Sequence, residues 1–174
     1  AGLPSGAAIE RLFVDRALRT LHFHGRRAAA WDTLTRAYPI PPPGTILLAH
    51  RPGNAGRQAA ESSGAPWVLA DADILALSHP GHANSPLKPA HTLSDHLSHA
   101  LRGERLKGVE AVAWSSAITT PDLLFYHLLP RLLVVAEAAW HGEDSLPWDK
   151  LAPLVEHEMT LLRRTVPYWN PQRP

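Results

Sequence analysis

Gly108–Trp140 reads GVEAVAWSSAITTPDLLFYHLLPRLLVVAEAAW. Val109–Trp114 is a short, mostly apolar run between a glycine and two serines, a pattern that predicts a brief buried strand ending in Trp114. A loop follows. The leucine-rich run to Trp140 predicts a long apolar helix. A strand, a loop and a returning helix make one βα unit, and the rest of the chain repeats that plan.

Ile9, Leu12, Phe13, Ala17, Leu18 and Leu21 recur at helical spacing, predicting a helix over Ala7–Leu21 that Gly25 ends. Arg26–Trp31 reads as a strand ending in Trp31-Asp32. Pro39–Gly44 holds four prolines and predicts a stiff turn. Thr45–Ala49 is a second apolar strand, Ala55–Ser63 a helix stopped at Gly64, and Trp67–Ala70 a third strand. Ser78–Pro89, rich in Pro, Gly, His and Ser, predicts a long loop. Ser94–Leu101 and Trp148–Val166 predict helices. Strands alternating with helices argue for parallel βα units. Four strands are too few for a closed barrel of eight. The pattern by itself fits a half barrel or a small open α/β sheet.

At 174 residues, one domain with a sizeable core is expected. Hydrophobic residues make up 45% and charged residues 19%, which argues against disorder. The formal charge is +1, and the basic residues are scattered among acidic ones. Nucleic acid is therefore not an expected partner. No apolar run reaches the roughly 18 residues of a membrane span, so no membrane association is expected. The absence of cysteine excludes disulfides and thiolate zinc sites. The opening AGLPSGAAIE carries neither an initiator Met nor a signal-peptide plan.

Trp114 at a strand end, Pro130-Arg131, and Ala136-Glu137-Ala138-Ala139-Trp140 together resemble the closing βα unit of the glycoside hydrolase family 20 β-N-acetylhexosaminidase barrel. Collinear, weaker matches run from Ile9 to Val166. The fold that this implies is α/β: half of a (β/α)8 TIM barrel, with four parallel strands and flanking helices over residues 1–174.

The resemblance implies that Trp31, Asp32, His50 and Trp114 are the sugar-binding residues, with Trp31 and Trp114 as stacking platforms. It also exposes departures. Thr33 stands where the family has Glu, and His50-Arg51 stands for Trp-Arg. Ala76-Leu77-Ser78 stands for Tyr-x-Asp, and Trp114-Ser115-Ser116 for Trp-x-Glu. The family's catalytic Asp-Glu pair would align before residue 1. That pair serves a substrate-assisted reaction, an exception to the usual two-carboxylate scheme. No adjacent Asp-Glu occurs here; Glu143-Asp144 follows the last barrel helix, so it is expected at the face opposite the sugar pocket. No catalytic residue is assigned within this chain.

Eleven histidines invite a metal reading, with His79, His82, His91, His96 and His99 clustered in sequence. No His-Glu-x-x-His spacing supports it, and solvated histidines are the plainer expectation. Ser115 and Ser116 lack a nucleophile elbow. Pro52-Gly53-Asn54-Ala55-Gly56 is a helix-capping turn rather than a phosphate loop. No motif implies a metal or a cofactor. Arg131 and Glu137 are expected to stabilise the fold as a buried pair. Trp67 is expected in the core.

Three functions remain open on sequence alone. The chain is the C-terminal portion of a hexosaminidase-like hydrolase that needs an N-terminal half for any hydrolysis of N-acetylhexosaminides. Or it is a non-catalytic half barrel that binds a sugar or a protein. Or it is an enzyme of new chemistry built on the histidine-rich loop. Open strand edges predict a homo-oligomer or a complementary N-terminal half-barrel chain as partner.

Overall fold

The computed structural model of the chain describes residues 5–78 and 89–165. Helix α1 (Gly6–Phe23) is capped by Ser5, whose hydroxyl accepts from the Ala8 amide at 3.3 Å. Gly25, at φ +64°, turns the chain out of it, a conformation that a Cβ would oppose. Strand β1 (Ala29–Trp31) leads into a 3-10 turn over Asp32–Arg36. β2 (Ile46–Ala49), α2 (Ala55–Ser63) and β3 (Trp67–Leu69) follow as expected. Next come α3 (Ala90–Ala100), β4 (Leu106–Val109), α4 (Pro121–Leu128), α5 (Arg131–His141) and α6 (Trp148–Thr165).

The strands form one sheet in the order β1-β2-β3-β4, every neighbouring pair parallel. Sequential order with helical crossovers is the plan of a β/α barrel cut open. Among the described residues no strand pairs with the outer side of β1 or of β4. Side chains alternate along each strand. Leu47, Ala49, Trp67 and Leu69 are buried in one core with Leu93 and Leu97 of α3, Val134 and Ala138 of α5, and Val155 of α6. Ile46, Leu48 and Val68, on the opposite side of the sheet, are only half-buried. Parallel sheets are ordinarily covered on both faces. Here the helices cover one, and the face that lines the interior of a complete barrel is partly open.

Several expectations are corrected. A buried strand over Val109–Trp114 is not what forms. β4 ends at Val109, because β3 ends at Leu69 and offers no further strand to pair with. Beyond it, Val112 makes a single bridge to Ala76, through Val112 N to Leu75 O and Leu77 N to Val112 O, each 2.8 Å. Trp114 lies past that bridge and is 44% exposed. The single long helix divides into α4 and α5, bent by 50°. Pro130 is the cause, having no N–H to donate and a ring that blocks the preceding turn. α3 starts four residues before Ser94, directly after Pro89. Val166 lies outside the described residues.

Arg131 and Glu137 are not a pair. Arg131 is buried but donates to the Leu77 carbonyl at 2.8 Å. Glu137 instead accepts from the Leu146 amide at 3.1 Å and lies 2.9 Å from His141 Nδ1. Trp67 is 1% exposed and sits in the core with the Arg57 guanidinium over its ring. No single helix among the described residues is long and apolar enough to cross a membrane.

α1 is the outlier in packing. None of its residues is buried, and Ile9, Leu12, Phe13 and Phe23 are all exposed, Phe13 at 76%.

Candidate sugar-binding wall

Parallel strands bring their C-terminal ends to one rim. Trp31 ends β1, His50 follows β2, Ala70 follows β3, and Trp114 follows the extension of β4. Three of these side chains meet. The Trp31 and His50 rings lie 4.5 Å apart between centroids, Trp31 and Trp114 6.4 Å, and His50 and Trp114 6.3 Å. Three rings from three separate strand ends thus form one aromatic wall, partly open to solvent. Such spacing is within the range of favourable ring contact.

Asp32 is brought to the same place but is fully buried. Its Oδ1 accepts from the His50 amide at 2.8 Å and the Arg51 amide at 3.2 Å, and its Oδ2 pairs with Arg51 Nε. Burial would raise the carboxyl's pKa. The Arg51 guanidinium and the two amides outweigh that and hold it below the ordinary carboxylate value. Asp32 therefore clamps the turn that carries His50, and its oxygens are committed within the protein.

His50 is fixed at both ends. Its amide is held by Asp32, and its Nδ1 lies 2.9 Å from the Ala70 carbonyl. The turn leading into α2 passes close behind it. A Cβ at Gly56 would come within 2.7 Å of the Arg51 nitrogen and 2.8 Å of the His50 nitrogen. Only glycine lets α2 start that close.

Trp114 is positioned from the opposite side. Ser78, fully buried, accepts from the Trp114 amide with its hydroxyl. The neighbouring Leu77 carbonyl accepts from Arg131. The guanidinium's pKa is lowered by burial to about 10, so it stays charged at neutral pH. The Pro-Arg feature at the start of α5 thus supports the segment that positions the rim tryptophan. His127, beside it, is pushed below the ordinary histidine value by burial first and then by the Arg131 charge.

Of the expected site residues, the structure brings Trp31, His50 and Trp114 together as neighbours. Sequence reasoning missed the positioning roles of Ser78, Arg131, Gly56 and the Ala70 carbonyl. In the sequence Ser78 stands out only as a departure from Asp, and a lone serine after an apolar run carries no signature of a backbone acceptor.

Among the described residues the histidines do not assemble. His79 and His82 lie outside the described residues. His91 packs 6.3 Å from Trp148, while His96 and His99 bond to the Thr92 and Asp95 carbonyls of their own helix. Among the described residues no group of three or more potential ligands could hold a metal ion.

The model for the family "Glycosyl hydrolase family 20, catalytic domain" matches residues 1–143. A β-N-acetylhexosaminidase of Cellulomonas fimi is 34% identical over 67 residues, covering 38% of this chain and 12% of that protein. The GH20 β-N-acetylhexosaminidase of Streptomyces coelicolor A3(2) superposes at a TM-score of 0.74 with 22% identity, over 88% of this chain and 34% of that one. The Streptomyces plicatus N-acetyl-β-hexosaminidase, solved with thio-NAglucal, superposes at 0.75 with 23% identity, over 91% of this chain and 35% of that one. The chain spans about a third of the length of these solved relatives.

Proposed function

Since the chain belongs to the family 20 glycosyl hydrolases, by its match to their catalytic domain, we propose that it supplies the sugar-facing wall of a β-N-acetylhexosaminidase-like barrel. In this reading Trp31, His50 and Trp114 contact the sugar, and Asp32 positions His50. Hydrolysis of an N-acetylhexosaminide then requires an Asp-Glu pair carried by an N-terminal half. The observation that carries the proposal is the convergence of Trp31, His50 and Trp114 on one rim at the C-terminal ends of parallel strands. Ligand sites in such folds occupy that rim. Indole faces stack on the apolar faces of pyranose rings, and individually modest contacts of this kind suit millimolar binding.

The free edges, the half-open sheet face and the apolar stripe of α1 support a partner. A second copy or a complementary N-terminal half barrel would pair β1 and β4 and cover the interior face. The favoured occupant for catalysis is the N-terminal half, because it alone brings the acidic pair.

A non-catalytic half barrel is the second reading. The departures at Thr33, His50, Ala76, Ser78 and Ser116 from the pattern that the resemblance implies favour it.

Titrating the purified chain with N-acetylglucosamine, followed by tryptophan fluorescence, tests the site. Saturable millimolar binding, lost in the Trp31→Ala/Trp114→Ala double variant that stays folded, is expected. Turnover of a chromogenic N-acetylglucosaminide is expected only after an N-terminal half bearing Asp-Glu is added. Turnover by the chain alone, abolished by a point mutation within it, overturns the division of labour. Binding without turnover in the reconstituted barrel selects the second reading.

A further inference from the structure

We propose that His50 Nε2 is a hydrogen-bond acceptor set into the aromatic wall, and that it selects ligands presenting a hydroxyl donor beside the two indoles. This rests on reading the wall as a sugar site. The Ala70 carbonyl lies 2.9 Å from His50 Nδ1. A carbonyl has no proton to give, so Nδ1 carries the proton and donates it. In the neutral imidazole, Nε2 is then left with its lone pair. Among the described residues Nε2 has no partner, and it is not among the buried polar atoms that lack one. The His50 residue itself is half-buried.

The other side chains of the wall offer nothing equivalent. An indole nitrogen only donates, so Trp31 and Trp114 have no side-chain acceptor. The nearby Asp32 carboxylate is buried and committed to His50 and Arg51. Tryptophan at position 50 would give a third donor-only ring. Histidine keeps the flat ring and replaces the donor with an acceptor. The ring's position is over-determined: amide to Asp32, Nδ1 to Ala70, the ring tilted against Trp31 at 4.5 Å between centroids. A pyranose stacked on these rings and presenting an equatorial hydroxyl can donate to Nε2. A group of the same size that cannot donate loses that bond.

Two measurements test it. Long-range ¹H–¹⁵N NMR of the imidazole in the free, wild-type chain above pH 7 is expected to show the Nδ1–H tautomer. A dominant Nε2–H tautomer overturns the proposal regardless of any sugar. Second, N-acetylglucosamine is compared with its 3-, 4- and 6-deoxyfluoro analogues, in which fluorine cannot donate. One analogue is expected to bind wild type about tenfold more weakly, the size of one lost hydrogen bond. The same analogue should bind His50→Phe no worse than the parent sugar does, while His50→Gln should regain some discrimination. Equal discrimination by wild type and His50→Phe, or none by wild type, overturns the proposal. The Nδ1–H tautomer with no saturable binding of any sugar sinks instead the sugar-site reading beneath it.

Discussion

Arg131 Nη2 donates to the Leu77 carbonyl at 2.8 Å, across a sequence separation of 54 residues. One residue on, Ser78 accepts the Trp114 amide. A buried cation on the last barrel helix therefore holds, at one remove, an exposed tryptophan on the rim. Replacing Ser78 by Ala leaves the Trp114 amide without its acceptor. A cost of about 1 kcal/mol is expected in denaturant unfolding, with a displaced Trp114 indole resonance. Arg131→Ala is expected to cost about 2 kcal/mol and to displace the same resonance. An unmoved Trp114 signal in both variants would break the proposed link.

Asp32 couples the rim to acid stability. Its folded-state pKa lies below the ordinary carboxylate value, so its contribution is fully present above the unfolded-state pKa. It is lost as pH falls through the folded-state pKa. Asp32→Asn is expected to cost about 2 kcal/mol at pH 7. The gap between wild type and variant should then narrow from about pH 4 downward. A pH-independent difference in unfolding free energy would contradict the ion-pair account.

Gly56 sets how closely α2 approaches the His50 turn. In Gly56→Ala the new methyl group would sit 2.7 Å from the Arg51 nitrogen, against backbone that Asp32 already holds. Overpacking of this kind is expected to cost about 2 kcal/mol and to shift the His50 ring signals. Gly53→Ala makes an informative control. It meets no atom within 4 Å but is strained by its φ of +63°, so it should cost stability without moving the His50 ring.

The apolar face of α1 separates stability from association. Leu12 and Phe13 are exposed, so Leu12→Ser/Phe13→Ser should change unfolding of the isolated chain by no more than about 0.5 kcal/mol per site. Sedimentation at micromolar concentration is expected to show assembly by wild type, with itself or with an added N-terminal half, and markedly weaker assembly by the variant. A wild-type monomer of about 19 kDa that ignores the added half would remove the partner proposal.

The sequence by itself determined the order and kind of the elements. Glycine stops, strand-length apolar runs and helical spacing are local signals, and they placed α1, β2, α2 and β3 within two residues. Trp31 and Trp114 were legible as neighbours once the barrel pattern was seen, because parallel strands deliver their ends to one rim. What the tertiary structure decided depends on which groups meet across long separations. β4 stops at Val109 because its neighbour stops, a fact held in another segment. The leucine-rich run from Leu123 to Val135 reads as one helix in composition despite His127 and Arg131, and the bend at Pro130 divides it into two. Asp32 has the chemistry of a sugar ligand in sequence. Three donors from the next strand's turn, gathered around it only by the sheet, make it a buried clamp instead. His50 was legible as a departure from tryptophan. The identity of its free nitrogen was set by a carbonyl at position 70, and no local pattern encodes that.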